Sequence, residues 1–370
     1  MTREYRFTFG QFLSQVHLQK KIPPADAILR HTNTVSASRS ILVCDTHTRA
    51  IALGIRGNLD IPLCVLSPGE TAKGWPAVEQ ILTTAKEGGL GRDGLFIAVG
   101  GGVVSDLAAF GASVFMRGCK LCIVSTTLLG MADAALGGKT GFDLLGIKNL
   151  VGTFYPAGHI YLPLETLTTL PRREWKSGMA ELIKTALLDD GEMVNTLKNL
   201  GDEFLRGDLL PKYEEPLFAL IAASVKIKGR IVEADPQETG TDRALLNLGH
   251  TFAHALESSA GLGNLSHGEA VAWGLVRSGE LGHHLGITPR ERAVEITGLV
   301  RSFGYEIAAP HPKMGDKKNF MTALRGDKKQ KAGKLRFVLP ASRGALVVED
   351  DLIEPRSLVS LINGEYALCY

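Results

Sequence analysis

The segment "LNLGHTFAHALE" (246–257) sets His250 and His254 four residues apart, and "LSHGEA" brings His267 soon after. On a helix that spacing puts both imidazoles of the first pair on one face, the arrangement zinc hydrolases use in H-E-x-x-H. Thr251 and Phe252 follow His250, so the glutamate that would serve a protease as base is missing. Three histidines within eighteen residues, from ten in the chain, point to a divalent metal with another task. Neutral imidazoles holding such a metal need a third ligand, commonly a carboxylate. Glu257 and Glu269 are near in sequence and Glu181 is distant. Spacing leaves all three open.

Two glycine-rich turns offer anion chemistry. "AVGGGVVSDLAAFGA" runs a strand through Gly100, Gly101 and Gly102 into a helix. Backbone of that kind approaches a phosphate closely, and the helix N-terminus supplies N–H groups and positive dipole. The dinucleotide fingerprint G-x-G-x-x-G is not met, because Ser105 holds its last position and no acid follows at the usual offset. A plain tight turn is as good a reading from the pattern alone. "DAALGGKTG" fails as a phosphate loop, since Asp133 stands where its first glycine is required and would repel phosphate. Lys139 in that turn, with Lys148 and Asn149 in "GIKN" shortly after, is a reasonable single phosphate contact.

The elements that must position these groups change character along the chain. "SILVCD" (40–45), "PLCVLS" (62–67), "LFIAVG" (95–100), "KLCIVS" (120–125) and "HIYLPL" (159–164) read as buried strands, with helical periodicity between them. That alternation predicts a Rossmann-like parallel sheet with helices on its faces. Past Leu170-Pro171 the pattern is helical to about residue 310, and "KLRFVLP" and "ALVVED" suggest a late hairpin. The expected boundary lies at 165–170, giving an α/β half over 1–168 and a mostly α-helical half over 169–370.

With 41 basic and 39 acidic side chains in 370 residues, the charge is nearly balanced, which argues against a general nucleic-acid binder. No run of about 18 apolar residues occurs, and the N-terminus lacks the apolar stretch of a signal peptide, so neither membrane nor export is expected. The five cysteines include one CxxC, Cys119 and Cys122, placed across a buried strand; inert core thiols in a reducing, cytoplasmic setting are expected.

Several segments together resemble the 3-dehydroquinate synthase family of sugar-phosphate cyclases: "GGGVVSDLAAF", "RGCKLCIVSTTLLGMADAALGGKTG", "GIKNLVGTFYP", "TLPRREWKSGMAELIK", "RALLNLGHTFAHALE" and "LSHGEAVAWG". The likeness runs from about Asp45 to Pro340. It implies a dehydroquinate synthase-like fold with an NAD-binding first half and a metal- and substrate-binding second half. The metal, zinc with cobalt as an alternative, would be held by Glu181, His250 and His267. NAD would meet Asp45, Gly69, Glu70, Lys73, Gly101, Gly102, Asp106, Thr126, Thr127, Lys139, Lys148, Thr166 and Thr169. Substrate phosphate would meet Lys139, Asn149, Lys184, Lys328 and, from a neighbouring subunit of a homodimer, Arg117. Its carboxylate would meet Lys228, Arg243 and Asn247, with Asp133 and His254 beside the remaining substrate groups.

The family reaction converts a seven-carbon heptulosonate 7-phosphate into 3-dehydroquinate and phosphate, with NAD reduced and restored within one turnover. Related cyclases differ where this chain has His254 and Asn247, which favours the carboxylate-bearing substrate. Asp143, Pro236 and one additional residue before Arg243 depart from the family pattern. The last two leave Lys226 as an alternative to Lys228, and Lys329 stands as one to Lys328.

Overall fold

The computed structural model describes residues 1–34, 36, 39–189, 192–205, 210–261, 263–325, 336–349 and 353–368. It divides into two compact units, Met1–Leu170 with Lys228–Gln237, and Pro171–Ile227 with Glu238–Tyr370.

In the first unit the order is β1 (Thr2–Phe9), β2 (Phe12–Gln19), α1 (Ala25–His31), β3 (Ser40–Asp45), α2 (Arg49–Arg56) and β4 (Leu63–Leu66). It continues with α3 (Trp75–Glu87), β5 (Leu95–Gly100), α4 (Gly102–Val114), β6 (Lys120–Ser125), β7 (Lys139–Leu144), β8 (Ile147–Phe154) and β9 (His159–Pro163). One seven-stranded sheet has the order β1-β2-β9-β6-β5-β3-β4. All its neighbours run parallel except β1 against β2. Strands β3, β5 and β6 are almost wholly buried because their runs are apolar on both faces, as a sheet covered by helices requires. Cys44 and Cys122 lie in this core with Leu42, Ile97, Val99 and Val124, and burial pushes both thiols upward.

Two hairpins of this unit escaped the sequence reading. The first is β1–β2, where Phe7 and Phe9 alternate inward and Gly10, at φ 62°, makes the turn. The second is the ribbon β7–β8, which pairs Lys139 with Phe154 and carries a bulge at Asp143. Lys139 therefore opens a strand rather than sitting in a loop.

The second unit contains α5 (Arg172–Leu187), α6 (Glu192–Lys198), most of α7 (Leu210–Ala234), α8 (His250–Ala260) and α9 (His267–His284). Beyond these lie α10 (Arg290–Ser302), α11 (Lys317–Arg325), the antiparallel hairpin β10 (Arg336–Pro340) and β11 (Ala345–Glu349), and α12 (Pro355–Ile362). Pro171 precedes the first residue of α5, where a missing N–H costs nothing. Ser266 and Glu269 form a reciprocal capping box at the start of α9, which fixes where that helix begins and so where His267 stands. Helix α9 is buried nearly all round, from Gly268 through Gly282, and α5, α8 and α10 pack on it. Among the described residues no helix is long and apolar enough to cross a membrane.

Candidate active site

In the second unit Glu181 of α5, His250 at the start of α8 and His267 at the start of α9 converge. Each offers one ligand atom, and the three atoms lie within 4.8 Å of one another. The Nε2 atoms of His250 and His267 stand 3.4 and 3.3 Å from Glu181 Oε1. Glycines bring the helices this close. A Cβ on Gly274 of α9 would lie 2.1 Å from the carbonyl oxygen of Gly249, the left-handed residue (φ 79°) just before His250. A Cβ on Gly268 would lie 2.3 Å from Cα of Ser177 on α5. Only glycine permits both approaches, so the backbones of three helices nearly touch around the ligands.

The electrostatics follow from burial. Glu181 is fully buried, and among the described residues neither of its carboxylate oxygens has a hydrogen bond of good geometry. Burial alone would raise its pKa, but Lys184, one turn along α5, and His250 outweigh that and hold it well below the usual range. Burial, then Lys184, pushes His250 down to about 3. Burial would lower His267 as well, but Glu181 and Glu257 prevail and raise it to about 10.

Two carboxylates that spacing left open have other partners. Glu269 Oε2 accepts hydrogen bonds from the backbone N–H and the hydroxyl of Ser266. Glu257 lies 3.6 Å from Nδ1 of His267, on the far side of that ring. His254 stands beside the triad, its ring centroid 5.5 Å from that of His250 and 6.5 Å from that of His267. Buried Lys184 pairs with Glu181. Arg243 is buried in the turn Arg243–Asn247, and Asn247 Nδ2 donates to Glu238 Oε1 at 3.2 Å. Glu238 was not singled out from the sequence; its left-handed backbone (φ 56°) in the loop before Arg243 has no residue-type signal. Lys328 and Lys329 lie outside the described residues.

In the first unit the residues assigned to a dinucleotide follow the carboxyl ends of parallel strands. Asp45 ends β3, Gly69, Glu70 and Lys73 follow β4, Gly101 and Gly102 follow β5, Thr126 and Thr127 follow β6, and Thr166 and Thr169 follow β9. The chain reverses its strand order between β3 and β5, the kind of switch point at which open α/β sheets bind ligands. Asp45 Oδ1 accepts from the backbone N–H and hydroxyl of Thr48, and that hydroxyl also reaches Val99 O at 2.9 Å. Among the described residues no side-chain hydrogen bond caps the start of α4 at Gly101. A Cβ on Gly100 would lie 2.6 Å from Val104 Cβ, so that glycine serves strand-to-helix packing, whereas Gly102 has only an ordinary 3.6 Å contact.

A cluster centred on Lys73 is new. Its buried ammonium donates to Asp106 Oδ2 of α4 at 2.6 Å and to Asn149 Oδ1 of β8 at 2.7 Å. Burial would lower Lys73, yet Asp106 and Glu70 hold it above its ordinary value. Burial raises Asp106. Asn149 takes a left-handed backbone (φ 48°), and Asp143 Oδ1 accepts its N–H at 2.7 Å. Asp143 thus orients Asn149. Lys228 is buried and pairs with Asp133 Oδ1 at 2.8 Å, while Lys226 is exposed. Thr127 Oγ1 accepts from Gly130 N–H at 3.1 Å, and the hydroxyls of Thr166 and Thr169 donate to Pro163 O and Thr166 O. Lys139 and Lys148 are exposed on the ribbon, and Arg117 (φ 68°) is exposed in the turn after α4.

The donor set in the second unit, two imidazoles facing one buried carboxylate, has the chemistry of a borderline divalent metal site. The strand-end turns in the first unit, with an uncapped helix N-terminus and a carboxylate at the neighbouring strand end, suit a nucleotide. Together they describe a nucleotide- and metal-using α/β-plus-α enzyme. A 2-epi-5-epi-valiolone synthase from Streptomyces hygroscopicus subsp. jinggangensis 5008, solved with NAD+ and Zn2+ bound, superposes with a TM-score of 0.82 at 26% identity, covering 94% of this chain and 95% of that one.

Residues 63–177 match the protein-family model for the 3-dehydroquinate synthase N-terminal region, and 178–330 that for the C-terminal region. A 3-dehydroquinate synthase of Prochlorococcus marinus subsp. pastoris is 35% identical over 88% of this chain and 89% of its own length. Another, from Prochlorococcus marinus strain MIT 9313, is 40% identical over 78% and 76%. The chain belongs to the 3-dehydroquinate synthase family.

Proposed function

We infer that this protein converts 3-deoxy-D-arabino-heptulosonate 7-phosphate into 3-dehydroquinate and phosphate, using NAD and a divalent metal, zinc or cobalt. The observation that carries the reading is the triad of Glu181, His250 and His267, the first two buried and the third half-buried, in a chain of this family. Bound metal would supply Lewis acidity toward a substrate hydroxyl, and bound NAD a reversible acceptor for its hydride. In the first unit, the N–H groups after Gly101 and Gly102 suit the pyrophosphate, and Asp45 suits a ribose hydroxyl. Asp106 and Asn149 hold Lys73 charged and in place beside them.

Toward substrate, Lys139 and Asn149 suit phosphate, and Lys228 and Asp133 form an already paired cation and anion. The burial of Lys228 and the exposure of Lys226 favour Lys228 for the carboxylate. Lys184, and Arg243 with Asn247, are further candidates for substrate anions, while His254 borders the triad. Each charge-assisted contact to phosphate or carboxylate is worth roughly 1.5–3 kcal/mol. The lysines hold the phosphate so that one of its own oxygens can take the proton lost in elimination. No dedicated base is then required.

A homodimer accompanies this reading. Arg117 is presented outward by strained backbone beside exposed Val114 and Met116, which suits a residue completing a neighbour's site. The buried thiols at Cys44, Cys64, Cys119 and Cys122 suit a cytoplasmic setting.

The test is phosphate release from the heptulosonate 7-phosphate by zinc-loaded protein with catalytic NAD, with absorbance of NADH followed in parallel. Phosphate without accumulating NADH is expected. Activity only on the sister sugar phosphates would move the protein to another cyclase, and steady NADH formation with simple polyols would make it a dehydrogenase.

A further inference from the structure

Helix α8 bears three polar residues on one stripe, His250, His254 and Glu257, at successive turns. The first belongs to the triad and the second borders it. Glu257 has no place in either the metal or the substrate assignment, yet its side chain is only 13% exposed and lies against His267.

The two nitrogens of His267 face different carboxylates. Nε2 stands 3.3 Å from Glu181 Oε1, inside the triad, and Nδ1 stands 3.6 Å from Glu257 Oε2. An imidazole ring cannot turn both nitrogens toward one ion, so Glu257 is excluded as a ligand by the same geometry that places it here. A carboxylate at Nδ1 favours the tautomer with its proton on that nitrogen. The lone pair at Nε2 is then directed toward Glu181 and His250. His250 solves the same problem with a neutral partner: its Nδ1 lies 3.2 Å from the carbonyl oxygen of Leu248. The two histidines are thus set up unequally, one against a backbone dipole and one against a full negative charge.

We propose that Glu257 is a positioning residue for metal binding: it holds His267 through Nδ1, fixing the tautomer and orientation of the ring and strengthening it as a donor. The proposal rests on the metal reading above. Groups of this kind matter through the ion, and their loss typically costs about 10–100-fold in metal affinity. The charge of Glu257 also brings the site nearer to neutrality for a dication, since Lys184 offsets Glu181.

The experiment compares wild type, Glu257→Gln and Glu257→Asp as metal-free full-length proteins titrated with zinc against a competing chelator. Visible absorption spectra after cobalt loading provide a readout independent of turnover. Glu257→Gln keeps the volume of the side chain, and its apo form is expected to melt with wild type. Its zinc affinity should fall about 10–100-fold, and its cobalt bands should shift in position and intensity. Glu257→Asp should fall between the two. Wild-type affinity and an unchanged cobalt spectrum in Glu257→Gln, alongside a wild type that binds zinc, would overturn this role and leave the metal reading standing. A wild type that binds neither zinc nor cobalt would overturn both.

Discussion

In the first unit Asp45, Gly69, Gly101, Gly102, Thr126 and Thr127 each stand within a few residues of the strand that presents them, and much of what they offer a ligand is backbone. In the second unit the three ligand atoms belong to side chains on three helices, with Glu181 distant in sequence from the two histidines, and are brought together through Gly249, Gly268 and Gly274. A nucleotide is long and carries several polar groups, so loops along one edge of a sheet suffice, each supplying a contact. A metal needs three donors at one point, and only close tertiary packing can produce that. The first unit should therefore keep its stability through local change at its site, whereas the second should lose stability and metal from changes that touch no ligand.

The largest effect is expected for His250→Ala. Loss of one of three donors should remove zinc from the purified protein and lower turnover by about 10³-fold or more, given the several kcal/mol a metal supplies. Metal analysis and phosphate release check this, and full zinc content with full activity would remove His250 from the site.

Gly274→Ala sharpens the contrast. Its new methyl would meet the Gly249 carbonyl at 2.1 Å, a backbone atom with no rotamer to yield. Destabilisation of about 1–3 kcal/mol is expected, with zinc lost although every ligand is intact. In the first unit Gly102→Ala adds a methyl only 3.6 Å from Ala134 Cβ. Its stability should stay within about 0.5 kcal/mol of wild type, while NAD affinity falls because the turn can no longer approach the pyrophosphate closely. Denaturant melts and NAD titration of both variants test the pair. Equal losses of stability would break the comparison.

The smallest effect concerns acid. His17 Nε2 and His159 Nδ1 are 3.2 Å apart, and His31 stacks on His17 while its Nδ1 meets the Tyr161 hydroxyl at 2.5 Å. Burial, then His17 and His31, pushes His159 down to about 4, and burial also lowers His17 against the opposing pull of Glu4. An unfolded histidine titrates near 6.5. As pH falls from about 6.5 to about 4, the unfolded chain takes up protons that the folded unit refuses, so stability declines through that window. His159→Gln should flatten this decline, as read by denaturant melts at pH 7 and pH 5. An unchanged slope would show that these rings do not govern it.

Local pattern sufficed for the five buried strands read from the sequence, because an apolar run between turn signals has few other stable fates in a chain of this composition. It sufficed less well where partners lie elsewhere. The hairpin β1–β2 carries a modest alternation that becomes decisive only when β2 finds β9. Lys139 reads as a loop residue until β7 pairs with β8.

The residue types of the site were visible in the same way: histidines at helical spacing, glycines after a strand, lysines near glycines. Which carboxylate completes the triad was not. Glu181, Glu257 and Glu269 are chemically identical side chains, and nothing local separates them. Tertiary packing separated them physically. Ser266 engages Glu269 to start α9, α8 turns Glu257 toward the outer nitrogen of His267, and α5 carries Glu181 into contact with the inner one. Sequence alone determined which chemistries were available and which elements would carry them, because those depend on side-chain type and short-range period. Only the folded chain decided which groups share a point in space, because that depends on how closely distant backbones can approach, here set by three glycines.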